Sequence, residues 1–340
     1  MPITSNISEE EANLALSQFT DAFIEEKSIE YILVLKSMVS FFTKHTYYLE
    51  VGKIEKLQNN RNLIVSDKEK TIPKEFEFKI WKKDGQSSKD QGFETKKIKV
   101  KQNLTSKTTI DVSNFDSDIS VSNRFGTDFG TCGAIFKLES FASYFGISNW
   151  HVLQHESGKL GQPIYHPQKA DSAEDYAKNK SKIGSLSWAS NTDLDVAIFE
   201  IEDTDEIKFL QEKGVKNIHE IALPKRGQLV EKIGANSGTT SARIRSVNCS
   251  LKVWKPNGSF QVYRNQLQLY KLSVPGDSGS VLFAKDKAVG VVFGSTNNSS
   301  IENFSYANDI TRVFNRKFDA EQEFYVDGKN IKIKELKIKK

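Results

Sequence analysis

Near the amino terminus the apolar positions recur at intervals of three and four: Leu16, Phe19 and Phe23, then Leu35, Met38 and Phe42. That spacing stacks side chains on one face of a helix, so the pattern predicts a helical segment over about 8–57, opened by a capping box of Ser8 and Glu11. Its most apolar stretch, SIEYILVLKSMVSFF at 28–42, predicts a buried helix. It falls short of the roughly 20 apolar residues that span a bilayer, and it carries Lys36. From about 61 to 112 the period changes to two. In FEFKIWKKDG, residues Phe76, Phe78 and Ile80 share one face and Asp84–Gly85 suits a hairpin turn, which predicts a small lysine-rich β module. Residues 113–130 are polar and turn-rich. Beyond them, to about 305, short apolar strands recur between Gly, Asn, Asp and Ser clusters, the pattern of an all-β barrel or sandwich.

Composition narrows the classes. The chain has 340 residues, 38% hydrophobic and 27% charged, with seven prolines. It reads as globular, not disordered or fibrous, with room for two or three domains. A net charge of +4 on this length implies no specific nucleic-acid partner. The acidic opening MPITSNISEEE lacks both the basic region and the apolar core of a secretory signal, so a cytoplasmic location without membrane attachment is expected. Two cysteines, Cys132 and Cys249, cannot make a disulfide framework and are expected as buried free thiols. Lysines gather in GKNIKIKELKIKK at 328–340, after a hairpin turn at Asp327–Gly328, and are expected on a solvated strand face and basic tail.

Three phrases carry chemistry. In GISNWHVL a strand ends at His151; in NTDLDVAIFEIE Asp195 opens an apolar strand, where a carboxylate has to be hydrogen-bonded; in PGDSGSVLF Ser278 stands between glycines ahead of another apolar strand. Serine at its ordinary pKa is a poor nucleophile and needs a base held in place by a third group. His151 is the candidate base and Asp195 the acid that fixes its tautomer, while Gly276 and Ser278 can turn their N–H groups toward an oxyanion. Asp193, two residues away on the same strand face, competes with Asp195. His151, His155 and His166 as a metal set are disfavoured because the glutamate of a His-Glu-x-x-His site is absent. GANSGTTS lacks the lysine of a phosphate loop. Neither metal nor cofactor is expected.

The order His, Asp, Ser and the phrases around each resemble the chymotrypsin-like serine peptidases, bacterial type. VEKIGANSGTTSARIRSV at 230–247 resembles the opening of their second barrel, and AVGVVFGS at 288–295 the strand whose edge pairs with substrate. The resemblance covers roughly 112–318. It implies a double six-stranded antiparallel β-barrel, preceded by the helical and small β module. The organisation it implies is a module at 1–112, a protease domain at 113–318 and a tail at 319–340. It implies an intracellular serine endopeptidase; the alternative is a catalytically silent relative that binds peptides. By alignment Leu272 lies at the floor of the primary pocket with Ser273, Phe293, Gly294 and Ser295 around it, so an apolar or small residue is expected before the cut, with Asp309 the acid to test otherwise. The family's Ile-Val-Gly-Gly activation site is missing, so control through residues 1–112, or through a regulatory protein partner bound there, is expected in its place.

Overall fold

The structure, a computed structural model, describes residues 7–24, 29–38, 45–54, 72–81, 93–105, 108–109, 118–123, 129–154, 158–165, 182–254, 260–296, 303–314 and 317–339. The chain folds as two compact units. One comprises 1–108 with 248–264 and 296–303, the other 109–247 with 265–295 and 304–340.

In the first unit, helix α1 (Glu9–Phe23) begins at the expected capping box. Ser8 Oγ accepts from Glu11 N, and Glu11 Oε2 accepts from Ser8 N at 2.8 Å. Strands β1 (Ile29–Met38), β2 (His45–Ile54), β3 (Glu75–Trp81) and β4 (Phe93–Thr105) follow. The expected helix at 28–42 is therefore corrected to strand β1. Its run Ile-Glu-Tyr-Ile-Leu-Val-Leu is rich in β-branched and aromatic residues, and a short apolar run fits a buried strand as well as a buried helix. β1 lies inside a sheet, antiparallel to β2 on one side and to residues 249–251 on the other, and its successive residues Tyr31 and Ile32 are both buried. Ile32, Leu49, Val51, Phe78, Ile98 and Val100 meet Ala12, Ala15, Leu16 and Phe19 of α1 in one core, against which Val262 also packs. Phe76 and Phe78 do belong to that core, while the turn expected at Asp84–Gly85 lies outside the described residues. A short strand, β5 (Thr108–Thr109), ends the amino-terminal stretch.

The second unit starts with strands β6 (Ser120–Asn123), β7 (Gly130–Thr131), β8 (Ala134–Lys137) and β9 (Tyr144–Ser148), a one-turn helix α2 (Trp150–Leu153), strands β10 (Pro163–Tyr165), β11 (Lys182–Ser190) and β12 (Val196–Ile201), and helix α3 (Thr204–Glu212). These strands form one sheet in the order β7-β6-β10-β11-β12-β9-β8, wrapped around Val121, Cys132, Ile135, Leu153, Ile164, Leu186 and Phe199. Six further strands follow: β13 (Leu229–Gly234), β14 (Gly238–Trp254), β15 (Phe260–Tyr270), β16 (Val281–Ala284), β17 (Lys287–Thr296) and β18 (Phe304–Asp309). Their order β13-β16-β17-β18-β15-β14, with β14 pairing back onto β13, closes a barrel. β5 pairs with both β14 and β17. The fold is thus mainly β, the chymotrypsin-like double barrel with an amino-terminal helix and small β module; its first barrel is a seven-stranded sheet and its second a closed six-stranded one.

Residues 319–339, expected as a solvated strand face and basic tail around a turn at Asp327–Gly328, lie in a hairpin, β19 (Lys317–Val326) and β20 (Lys329–Glu335), and the chain after it. Asp327 and Gly328 turn it at φ 50° and 76°, the positive angles that a two-residue hairpin turn demands. Phe324, Val326, Leu336 and Ile338 are buried in the core that also holds Phe136, Phe145 and Ile198 of the first barrel and Val281 and Val291 of the second. The lysines point outward while the alternate apolar side chains go in.

Candidate active site

The strand register brings the candidate acid to the candidate base. In the antiparallel pair β9–β12, Ala197 lies opposite Ser148, so two residues further Asp195 falls beside Trp150 and His151. Val152 and Leu153 are buried in the first-barrel core and pin α2, which fixes the direction of His151. His151 Nδ1 is 2.6 Å from Asp195 Oδ2, and the His151 backbone N–H donates to Asp195 Oδ1 at 3.1 Å. Both carboxylate oxygens are thus used on one residue, and the carboxyl group is fully buried. Asp193 takes no part: it is an exposed residue paired with Arg312.

Ser278 lies in the turn before β16, where Gly276 and Gly279 adopt φ 93° and 97°. Only glycine fits at 279, because a Cβ there would meet Ser148 Oγ at 2.3 Å and Thr131 O at 2.4 Å. This close approach lays the serine turn against the end of β9, three residues before His151. Thr131 fastens the turn from the first barrel: its N–H donates to Ser278 O at 2.7 Å and its hydroxyl to Gly276 O at 2.9 Å. Among the described residues the N–H groups of Gly276 and Ser278 have no acceptor, whereas Asp277 N donates to Val274 O. Two free donors flanking a nucleophile are what an oxyanion requires. Ser278 Oγ itself donates to Phe293 O at 3.3 Å, and His151 Nε2 is buried without a partner among the described residues. An unpaired ring nitrogen of this kind is costly unless something else is to fill it.

Asp277 anchors the turn from below. Its Oδ1 accepts from Asn236 N at 3.2 Å and Ser237 N at 3.0 Å. Its Oδ2 accepts from Lys232 Nζ at 2.7 Å, Ser237 Oγ at 2.6 Å and Val274 N at 3.0 Å. Burial pushes the Lys232 ammonium below the ordinary lysine range, and the Asp277 carboxylate pulls it back. Sequence reasoning missed Lys232, Thr131 and Asn236; a lysine on an alternating strand gave no sign of pointing inward. Burial likewise raises the Cys132 thiol to about 12, which makes it inert; Cys249 is also free and buried.

The other expected site residues separate. Leu272 is buried with Val230, Leu267, Leu269 and Val289 inside the second barrel. Its N–H donates to Ser305 Oγ, which also accepts from the Ser273 N–H and, at 2.7 Å, from Ser273 Oγ. The Phe293 side chain is buried too, and it is its carbonyl that faces Ser278. Gly294 pairs with Tyr306 after a bulge in β17, and Ser295 Oγ is 3.3 Å from Lys271 Nζ. Asp309 caps Thr311 and holds the turn after β18. His155 and His166 lie outside the described residues, among which no cluster of metal ligands occurs. No helix is long and apolar enough to cross a membrane, again among the described residues.

Among solved structures the chain is similar to a glutamic acid specific serine protease, at 19% identity over 58% of this chain and 94% of that one, with a TM-score of 0.42. It is similar to Nocardiopsis protease at 14% identity, over 60% and 94% of the two chains, with a TM-score of 0.41. It is also similar to Thermobifida fusca protease A at 14% identity, over 60% and 93%, with a TM-score of 0.40. No protein-family model matches the sequence, and no curated protein matches it.

Proposed function

We propose that this protein is a serine endopeptidase in which Ser278 is the nucleophile, His151 the general base, Asp195 the group that orients it, and the N–H groups of Gly276 and Ser278 the oxyanion hole. The observation that carries the reading is the buried His151–Asp195 pair, 2.6 Å apart, whose outer nitrogen is left unpartnered beside a serine turn. Asp195 holds the proton on Nδ1 and leaves Nε2 as acceptor. The reaction requires Ser278 Oγ to leave Phe293 O and reach Nε2. The serine proton then passes to Nε2 as Oγ bonds to the substrate carbonyl carbon. The imidazolium gives that proton to the leaving amine as the C–N bond breaks, and water repeats the sequence on the acyl-enzyme.

The expectation of an apolar or small residue before the scissile bond rested on Leu272 with Ser273, Phe293 and Ser295 around it. The polar groups around the same backbone are the hydroxyls of Ser273, Ser295 and Ser305 and the Lys271 ammonium. Ser295 lies two residues from Phe293, about 6.6 Å along an extended strand. Hydroxyls with a cation at their rim suit a carboxylate, so the reading is cleavage after Glu or Asp. Control through residues 1–112, directly or by way of a regulatory protein partner, is part of the same proposal.

Fluorophosphonate labelling of the wild type beside Ser278→Ala, followed by a peptide-library digest, tests the reading. Labelling that disappears with Ser278, and cleavage after acidic residues that weakens in Lys271→Ala, are expected. A wild type that neither labels nor cleaves would leave a peptide-binding protein on a protease fold.

A further inference from the structure

The acid of the candidate triad belongs to the first barrel and the nucleophile to the second, so their alignment depends on whatever joins the two. One side chain does this at the acid itself. Asn308, on β18 of the second barrel, is fully buried. Its Oδ1 accepts from the Asp195 N–H at 2.9 Å, and its Nδ2 donates to the Asp195 carbonyl at 2.9 Å. The amide thus embraces both main-chain polar groups of one residue, as two bases pair. Its own orientation is fixed by a second donation, to Val291 O at 3.3 Å, across the ladder in which Val291 faces Asn308. From the other side Asn149, two residues before His151, donates Nδ2 to the same Asp195 carbonyl at 2.5 Å.

We propose that Asn308 is a positioning residue for catalysis: it fixes the Asp195 backbone to the strand pair β17–β18, and so holds the carboxylate on His151 while the nucleophile is presented from the same barrel. The proposal rests on the triad reading above. Neither barrel need supply this bond for its own core, since Asn308 is already in the β17–β18 ladder and Asp195 already adjoins β12. What the bond adds is registry between the two halves of the reaction. Misplacement of a catalytic group by about 1 Å can cost about 10²-fold in rate, and an unclamped Asp195 backbone could shift by that much.

Asn308→Asp tests this with little change of shape. It keeps an acceptor for the Asp195 N–H but loses the donor to the Asp195 and Val291 carbonyls. Asn308→Ser, smaller and uncharged, is the second variant should the first fail to fold. Active sites are counted by fluorophosphonate titration, so turnover is expressed per competent site. Clamping predicts kcat per site lowered about 10²-fold with KM nearly unchanged. A purely structural role predicts fewer sites of normal kcat, and that result would overturn the proposal. Proton NMR of the His151 Nδ1–H gives a readout that needs no activity. The resonance should move or broaden by faster exchange in the variants, and an unchanged resonance in a folded variant would also overturn it. A wild type that shows the Nδ1–H resonance but does not label at Ser278 would sink the protease reading separately.

Discussion

Lys232→Met removes the cation beneath the serine turn and leaves most of its shape. In the wild type Nζ is 2.7 Å from Asp277 Oδ2, with both side chains wholly buried. Without it Asp277 keeps four hydrogen bonds, from Asn236 N, Ser237 N, Ser237 Oγ and Val274 N. Removing one partner of a buried pair costs about 3–5 kcal/mol because a buried charge is left uncompensated. The four remaining donors solvate the carboxylate in part, so the loss should sit near the lower end, about 3 kcal/mol. For a unit of some 200 residues that corresponds to a Tm lower by about 6–12 °C. The double variant Lys232→Met, Asp277→Asn removes the stranded charge and should regain most of the loss, a coupling of about 2 kcal/mol. Thermal unfolding of the four proteins of this cycle supplies the assay. A single variant within about 1 kcal/mol of the wild type, or a double variant whose loss is the sum of the singles, would show that the four dipoles alone hold Asp277. Because Asp277 directly precedes Ser278, kcat should fall with stability, and a destabilised variant with full turnover per site would separate the ion pair from the oxyanion hole.

Asp195→Asn should lower kcat by about 10⁴-fold, the size expected when the base is held in the wrong tautomer, while Asp193→Asn should stay near the wild type; the reverse result in a peptide-cleavage assay would exchange their roles. Glu11 is held below the usual carboxylate range of 4.5, chiefly by its hydrogen bond from Lys96 and further by that from Ser8, against the upward push of burial. A depressed carboxylate stabilises above its unfolded pKa and loses that contribution as pH falls through the folded one. Below pH 4.5 the helix-bearing unit should therefore weaken, less steeply in Glu11→Gln, and equal acid limbs by circular dichroism would exclude Glu11 as the cause. Deleting residues 317–340 withdraws Phe324, Val326, Leu336 and Ile338 from the core shared by the barrels. At about 1.5–3 kcal/mol each that is about 6–12 kcal/mol, comparable with a whole domain's stability. A truncated chain that still unfolds cooperatively near the wild-type Tm would show that the hairpin is accessory.

What could be read from the sequence follows from what chemistry and local geometry constrain. His151, Asp195 and Ser278 stood out because a nucleophile, a base and an acid admit few residue types, and each lies within three residues of an end of a strand whose apolar run is unmistakable. The capping box at Ser8 and the turn at Asp327–Gly328 were legible for a similar reason: each is settled by residues within four positions. The supports were not legible. Asn308 acts on a residue 113 positions away, Thr131 on one 145 away and Lys232 on one 45 away, and nothing near any of them in the chain separates an inward polar side chain from a solvated one. Strand β1 failed differently. Its successive residues Tyr31 and Ile32, which point to opposite faces, are both buried, so the period of two that marks a half-buried strand is lost there, and the apolar residues of the stretch fall at helical spacing. That same placement changes what a deletion of residues 1–112 can mean. Residues 249–251 pair with β1, and Val262 packs on the core built around α1, so removing the amino-terminal stretch divides one folding unit and strips 248–264 of its partners. A regulatory role for this unit is therefore better sought by weakening β5 at Thr108–Thr109, where proline would remove a ladder donor, than by truncation. Faster turnover in such a variant, with the Tm unchanged, would mark that strand as a brake on the cleft; unaltered kinetics would remove it from consideration.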